Sequence, residues 1–126
     1  IRQSLDSVGL NGTENSFFFY FSDGEKQRTL IAKALAQETA IILLDEPTAH
    51  LDLPNRIRVL QLLRSVAHEQ GKTILISTHE LDLAIKLSDR IMLMTPGKGI
   101  KLDTPDKLRE QNAFTAAFGM DIFNPI

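Results

Sequence analysis

The chain has 126 residues, of which 43% are hydrophobic and 24% are charged, and its formal net charge is −2. This composition is typical of a globular domain, and the small negative charge gives no electrostatic reason to expect nucleic acid as a partner. The sequence contains no cysteine, which excludes disulfides and thiolate metal sites. No apolar run reaches the roughly 20 residues that a membrane-spanning helix needs.

The first part of the chain carries helix and loop signals. Residues 1–10 indicate the end of a helix, with Gly9 near its C-cap, and residues 11–16 indicate a loop. Residues 17–21 are five consecutive aromatic side chains. Ser22 and Glu25 fit the capping box S-x-x-E, which predicts a helix from this point to about Gln37.

The middle of the chain predicts a strand, a helix and a second strand. Ile41–Leu44 and Thr73–Ser77 are short apolar runs of the kind that buried strands make. Between them, Pro54 suits the first turn of a helix and Gly71 can end it. The apolar positions expected to face the core of this helix are Leu53, Ile57, Leu60, Leu63 and Ala67.

The last part of the chain predicts shorter elements. Glu80–Leu87 indicates a short helix, and Arg90–Met94 a third strand. Residues 96–99 indicate a turn before a fourth strand at Ile100–Leu102. Thr104 and Pro105, as N-cap and first helical residue, then predict a last helix.

Acidic and polar side chains follow the first two predicted strands. A strand, a helix and a strand in this order make a parallel βαβ unit, and ligands bind at the carboxyl ends of such strands. Asp45 and Glu46 follow the first strand, and Ser77, Thr78 and His79 follow the core of the second. An Asp here can orient Mg²⁺, a Glu can activate water and a His can bond a phosphoryl group. Each signal alone also occurs at strand ends without function.

Three segments make the pattern specific when they are taken together. They are Phe-Ser-Asp-Gly-Glu-Lys-Gln-Arg (21–28), Ile-Ile-Leu-Leu-Asp-Glu-Pro-Thr-Ala-His-Leu-Asp (41–52) and Ile-Ser-Thr-His-Glu (76–80). In this order and spacing they resemble the signature motif, Walker B strand, D-loop and switch histidine of the ATP-binding-cassette (ABC) family. The resemblance spans about residues 20–110.

This resemblance implies ATP and Mg²⁺ as cofactors and a role for each motif residue. Asp45 is expected to hold Mg²⁺, Glu46 to be the catalytic base and His79 to contact the γ-phosphate. Asp52 is expected in the D-loop at a dimer interface. The expected signature loop consists of Ser22, Asp23, Gly24 and Glu25. Free N–H groups at a helix N-terminus suit this loop for gripping a phosphate, which in this family belongs to ATP held by the other subunit.

The signature differs from the usual Leu-Ser-Gly-Gly-Gln of the family. Phe21, Asp23 and Glu25 replace Leu, the first Gly and Gln, whereas the Ser and the second Gly are kept. The acidic forms resemble those of importers of iron complexes, haem and cobalamin. For the aromatic run at 17–21, packing inside the helical subdomain and contact with a membrane subunit both remain open.

The phosphate-binding loop G-x-x-x-x-G-K-[ST] does not occur in the sequence. Gly71-Lys72-Thr73 does not qualify, because Val66 stands where the first glycine belongs and the triplet leads from a helix into a strand. The chain also begins with Ile1 and ends at Asp121–Ile126 as if cut. We therefore expect a C-terminal segment of a longer protein, inactive in ATP hydrolysis by itself.

The expected fold is α/β, a partial P-loop NTPase (RecA-like) parallel sheet with flanking helices. Residues 1–37 are expected to be a remnant of the ABC helical subdomain, and residues 38–126 the C-terminal part of the nucleotide-binding core. The whole protein is expected to be an ABC-type ATPase that drives import of an iron–siderophore complex, haem or cobalamin.

The resemblance also implies partners and a location. The expected partners are a second ATP-binding subunit in a head-to-tail dimer, transmembrane permease subunits and, indirectly, a substrate-binding protein. The expected location is peripheral, on the cytoplasmic side of the inner membrane.

Three other interpretations remain open. The first is a chromosome-maintenance or repair ATPase, against which Pro47, Thr48 and His79 argue. The second is a ribosome-associated translation factor with two cassettes. The third is a binding module without catalysis, since these residues alone cannot cradle a triphosphate.

Overall fold

A computed structural model of the chain describes residues 2–49 and 51–119. The expectation that the chain ends abruptly at 121–126 lies outside these residues. The chain forms two compact units, residues 1–79 and residues 80–126, which are described separately. This division falls elsewhere than the subdomain border near residue 37, which stays a prediction.

The first unit begins with two helices. Helix α1 spans Arg2–Ser7, and a single 3-10 turn covers Phe18–Tyr20. Helix α2 spans Asp23–Ala36 and starts with the predicted capping box, because the Ser22 hydroxyl accepts from the Glu25 N–H while the Glu25 carboxylate accepts from the Ser22 N–H. The two reciprocal bonds satisfy N–H groups that the first helical turn leaves open.

Strand β1 (Ile41–Asp45), helix α3 (Leu53–Gln70) and strand β2 (Thr73–Ser77) complete the first unit. The strands pair in parallel, which confirms the predicted βαβ unit. Asp52 caps the start of α3 by accepting from the Asn55 N–H, and Gly71 ends the helix at φ 62°, in the left-handed region that glycine adopts readily.

The core of the first unit lies between the helices and one face of the sheet. Its buried side chains come from the residues that follow α1 and from α2, β1 and α3, and include Ile31, Leu35 and Ile42. The buried stripe of α3 consists of Val59, Leu60, Leu63 and Val66. The predicted stripe was therefore partly wrong, since Leu53, in the first turn beside the Asp52 cap, is exposed.

The other face of this sheet is uncovered. Ile41 and Leu43 of β1 are 60% and 70% exposed, and Leu75 of β2 is 50% exposed. These residues alternate with Ile42, Leu44 and the other inward positions, as the period of a strand requires. In the described residues the predicted apolar strands are therefore buried on the face where the helices pack and exposed on the other.

The aromatic run before α2 is also exposed. Phe17, Phe18, Phe19 and Tyr20 are all exposed. Tyr20 contacts Phe17 and Phe19 edge-on, and Phe18 is tilted against Phe21. These contacts test neither packing inside a helical subdomain nor contact with a membrane subunit, and both stay predictions.

The second unit contains a hairpin and three short helices. Helix α4 spans Leu81–Leu87, strand β3 Ile91–Thr95, strand β4 Gly99–Asp103, helix α5 Pro105–Glu110 and helix α6 Ala113–Phe118. β3 and β4 pair in an antiparallel sheet of their own, joined by the predicted turn.

The single last helix that was predicted is divided in two. Thr104 caps α5 as expected, but Asn112 takes a left-handed φ of 50° and separates α5 from α6. The break lets Leu108, Ala113 and Phe114 turn into one buried cluster with Leu93 of β3. Within residues 2–49 and 51–119, no helix has the length and apolar character to cross a membrane.

Candidate functional site

The candidate site lies at the carboxyl ends of β1 and β2. The two strands have equal length and no stagger, so Asp45, the last residue of β1, pairs with Ser77, the last residue of β2. Glu46 follows directly, and His79 lies two residues beyond Ser77. The parallel register therefore brings together the side chains that the sequence places at both strand ends, as expected for a ligand site in a parallel sheet.

Ser77 connects the two acidic residues of the site. Its hydroxyl donates to Asp45 Oδ1. The Ser77 hydroxyl oxygen also accepts from the Glu46 N–H at 3.1 Å. The Ser77 carbonyl oxygen accepts from that N–H at 3.2 Å. One side chain thus fixes the carboxylate of Asp45 and the peptide that carries Glu46.

Glu46 has an unusual backbone and a histidine partner. Its φ is 45°, in the left-handed region that costs a residue with a Cβ free energy unless neighbours hold it. Its Oε1 lies 2.9 Å from His79 Nδ1, and the His79 side chain is largely exposed. The carboxylate is therefore held at one oxygen by an imidazole that also faces solvent.

The second carboxylate oxygen of Glu46, Oε2, is buried and lacks a hydrogen-bond partner among the described residues. A buried acceptor without a partner is costly, and a water molecule is the simplest group that could satisfy it. The geometry at Glu46 therefore fits a residue that receives a hydrogen bond, or a proton, from water.

The acidic residues also fit Mg²⁺ that arrives with a nucleotide. Within residues 2–49 and 51–119, no three His, Asp or Glu side chains are grouped to hold a metal ion. Mg²⁺ is commonly bound by one or two carboxylates together with phosphate oxygens and water. Asp45, with one oxygen oriented by Ser77, supplies such a carboxylate.

The signature stretch forms the N-terminus of α2. The Glu25 carboxylate accepts from the Ser22 N–H at 2.9 Å and from the Ser22 hydroxyl at 2.7 Å. These two bonds, first the side-chain bond and then the backbone bond, lower the pKa of Glu25, and the charge of Arg28 adds to the effect. In this structure the Ser22 N–H and the Ser22 hydroxyl therefore both donate to the Glu25 carboxylate of the same chain.

Gly24 at the start of α2 lies near Leu51 and Asn55, which flank Asp52 at the start of α3. A Cβ placed on Gly24 would lie 3.8 Å from Asn55 Nδ2 and 3.9 Å from Leu51 Cδ2, which is ordinary contact. The fold of the chain therefore does not require glycine here. Asp52 caps α3 through a 2.9 Å bond from the Asn55 N–H, a structural role that the D-loop expectation did not include.

The structure thus brings Asp45, Glu46 and His79 together, and it places the signature stretch and Asp52 at two helix starts. It adds Ser77, for which no role was predicted. The sequence placed Ser77 only at the end of the second predicted strand, and its pairing with Asp45 comes from the observed register.

Comparison with known proteins gives the same family for several parts of the chain. Residues 1–49 match the family model described as ABC transporter. The energy-coupling factor transporter ATP-binding protein EcfA2 of Methanospirillum hungatei is 43% identical over 107 residues, covering 85% of this chain and 27% of that protein. The petrobactin import ATP-binding protein FatE of Bacillus anthracis is 34% identical over 118 residues, covering 94% of this chain and 47% of that protein.

Solved structures agree with these relatives. A metal-chelate type ABC transporter in an inward-facing conformation matches with a TM-score of 0.85 and 33% identity, covering 94% of this chain and 47% of that chain. A dimeric ATP-binding cassette, MJ0796 bound to ADP and Pi, matches with a TM-score of 0.68 and 32% identity, covering 82% of this chain and 44% of that chain.

The class is therefore an α/β fold of the P-loop NTPase type, as found in ABC ATPases. The chain belongs to the family of ABC transporter ATP-binding proteins. It spans less than half the length of these curated relatives.

Proposed function

We propose that the whole protein hydrolyses ATP as the ATP-binding subunit of an ABC importer. The observation that carries this proposal is the site at the strand ends. There Ser77 is hydrogen-bonded to both Asp45 and Glu46, and the buried Oε2 of Glu46 has no hydrogen-bond partner among the described residues. Phosphoryl transfer depends mainly on positioning and electrostatics, which such a site can supply.

Each residue of the site has a defined task in this proposal. Asp45 would hold Mg²⁺, which would neutralise charge on the transferring phosphate. Glu46 accepts a proton from the attacking water at its open Oε2. His79, bonded through Nδ1 to Glu46 Oε1, keeps the base oriented and contacts the γ-phosphate with its other ring nitrogen.

The signature stretch acts on a second subunit. The N–H groups at the start of α2 grip the phosphate of ATP that the partner holds. Two subunits in a head-to-tail dimer then close over two nucleotides, with Asp52 at their interface. Permease subunits bind the dimer on the cytoplasmic side of the inner membrane and, through a substrate-binding protein, receive the solute.

Glu46→Gln in the whole protein tests the base. Gln keeps the size and the hydrogen bonding of Glu but cannot accept the proton, so turnover should fall by roughly 10²–10⁴-fold, the usual contribution of a general base. ATP should still bind, and the variant should accumulate as an ATP-bound dimer. Steady-state ATPase rates and size-exclusion chromatography with and without ATP measure both effects.

Asp45→Asn and Glu38→Gln complete the comparison. Asp45→Asn should weaken the dependence on Mg²⁺ and disfavour the dimer, because the metal ligand is lost. Glu38 is an exposed glutamate with a similar backbone, φ 54°, away from the strand ends, so Glu38→Gln should leave the rate unchanged. A Glu46→Gln protein that hydrolyses ATP at the wild-type rate would exclude Glu46 as the base.

We also propose an iron chelate, haem or cobalamin as the transported solute. Asp23 and Glu25 in the signature support this class, as do the petrobactin import relative and the metal-chelate type structure. Relatives named for phosphonate and aliphatic sulfonate import are 40% identical, so overall identity does not select the solute.

An uptake measurement tests the solute class. Cells that lack the gene should lose uptake of one labelled compound among a ferric chelate, haem and cobalamin, and the wild-type gene should restore it. The Glu46→Gln gene should not restore it, since uptake needs hydrolysis. Unchanged uptake of all three compounds would contradict this part of the proposal and leave the ATPase function standing.

A further inference from the structure

Ser77 has contacts to both acidic residues of the site. Its hydroxyl donates to Asp45 Oδ1 and accepts from the Glu46 N–H, and its carbonyl oxygen accepts from the same N–H. We propose that Ser77 is a positioning residue of the ATPase site, which orients the Mg²⁺-binding carboxylate of Asp45 and holds the peptide of Glu46. This inference rests on the proposed function.

The hydroxyl is suited to this double task because it is both a donor and an acceptor. Donation to one oxygen of Asp45 fixes the rotation of the carboxylate, so that its remaining lone pairs point in a constant direction. Groups that orient a metal ligand in this way typically change metal affinity or activity by about 10–100-fold when they are removed.

The bond to Glu46 has a separate effect on the base. Glu46 has a φ of 45°, which a non-glycine residue keeps only when its surroundings hold it there. Both oxygens of Ser77 accept from the Glu46 N–H and so anchor the strained residue to the end of β2. The side chain of Glu46 then starts from a fixed backbone, with Oε1 at His79 and Oε2 open.

The exposure of Ser77 separates this role from packing. Ser77 is exposed and belongs to neither buried cluster, so its side chain is not needed to fill the core. Within the described residues, the hydroxyl can therefore be removed without making a cavity.

Ser77→Thr and Ser77→Val in the whole protein form a matched test. Both residues are β-branched and have nearly the same shape, but only Thr keeps the hydroxyl. Mn²⁺, titrated by electron paramagnetic resonance in the presence of a non-hydrolysable ATP analogue, should bind about 10–100-fold more weakly to Ser77→Val and with nearly wild-type affinity to Ser77→Thr. Thr73→Ala, which removes an exposed hydroxyl from the same face of β2, should not change Mn²⁺ affinity.

Amide hydrogen exchange without nucleotide gives a second, independent measurement. The Glu46 N–H should exchange faster in Ser77→Val than in Ser77→Thr, because one of its acceptors is gone. If the wild-type protein shows no ATPase activity, the proposed function fails and the exchange result still decides the role of Ser77. Equal Mn²⁺ affinity and equal Glu46 exchange in the Val and Thr variants would overturn the inference.

Discussion

Glu25 is one of two acidic residues in the signature stretch of this chain, the other being Asp23. Its carboxylate accepts two hydrogen bonds from Ser22, and the pKa of Glu25 is therefore lower than its ordinary value of 4.5. A group whose pKa is lower in the folded state binds its proton less readily there than in the unfolded chain. It therefore stabilises the fold above the unfolded pKa, and this contribution is lost as the pH falls through the folded pKa.

Glu25→Gln measures this contribution, because Gln can still accept from the Ser22 N–H but does not titrate. The difference in free energy of unfolding between the chain and the variant should be constant above the ordinary pKa and should shrink as the pH falls below it. Denaturant unfolding at several pH values gives the difference. Glu14, whose pKa is also lowered, is present in both proteins and cancels. A difference that stays constant to the lowest pH would contradict the assignment.

At the residue scale, local motifs were predictable and long-range partners were not. The Ser22–Glu25 capping box was predicted because both residues lie in one helical turn. The Glu46–His79 pair was foreseen only as neighbours at one sheet edge. The bond between Asp45 and Ser77 depends on a register that no local signal of the sequence fixes.

Among the elements, the pair β1–β2 has one covered and one bare face. Leu43 and Leu75 are paired across the strands on the bare side and, with Ile41, form an exposed apolar surface. Water-exposed apolar area of this kind favours association. We therefore expect the 126-residue chain to self-associate in solution.

Leu43→Thr combined with Leu75→Thr tests this expectation. Threonine keeps the strand preference of a β-branched residue while making the bare face polar, so association should weaken and the circular dichroism spectrum should stay unchanged. Sedimentation velocity at several concentrations measures the association. As a control, Ile74→Thr on the covered face should lower stability instead. A wild-type chain that remains monomeric at all concentrations would contradict the expectation.

Element type was predictable where hydrophobic period and caps agreed. The parallel βαβ unit follows from two apolar runs around a capped helix, and the structure confirms it. Whether one or both sheet faces are covered could not be predicted from these runs, because an apolar run gives the same pattern in either case. The break at Asn112 was missed for a similar reason, since asparagine enters the left-handed region without a strong local signal.

At the scale of the whole molecule, the chain separates into the unit with the site and the unit with the hairpin, and the site residues that form contacts with one another belong to the first. The order of the motifs in the sequence predicted the family. The relatives EcfA2 and FatE, both ATP-binding proteins of transporters, confirm it. Composition and charge could exclude classes of protein, but they do not indicate which solute a transporter of this family carries.

Because β1 and β2 pair without stagger, insertions and deletions of residues are restricted in these two strands. Deleting Thr73, the first residue of β2, would place Thr78 opposite Asp45 and would turn Ile74 and Ile76 outward, because side chains alternate between the two faces. The loop at 11–16 and the turn at 96–98 carry no such constraint, since neither lies between Asp45 and Ser77. Codon insertions and deletions that leave the protein usable should therefore fall in these connections and spare the short strands beside the site.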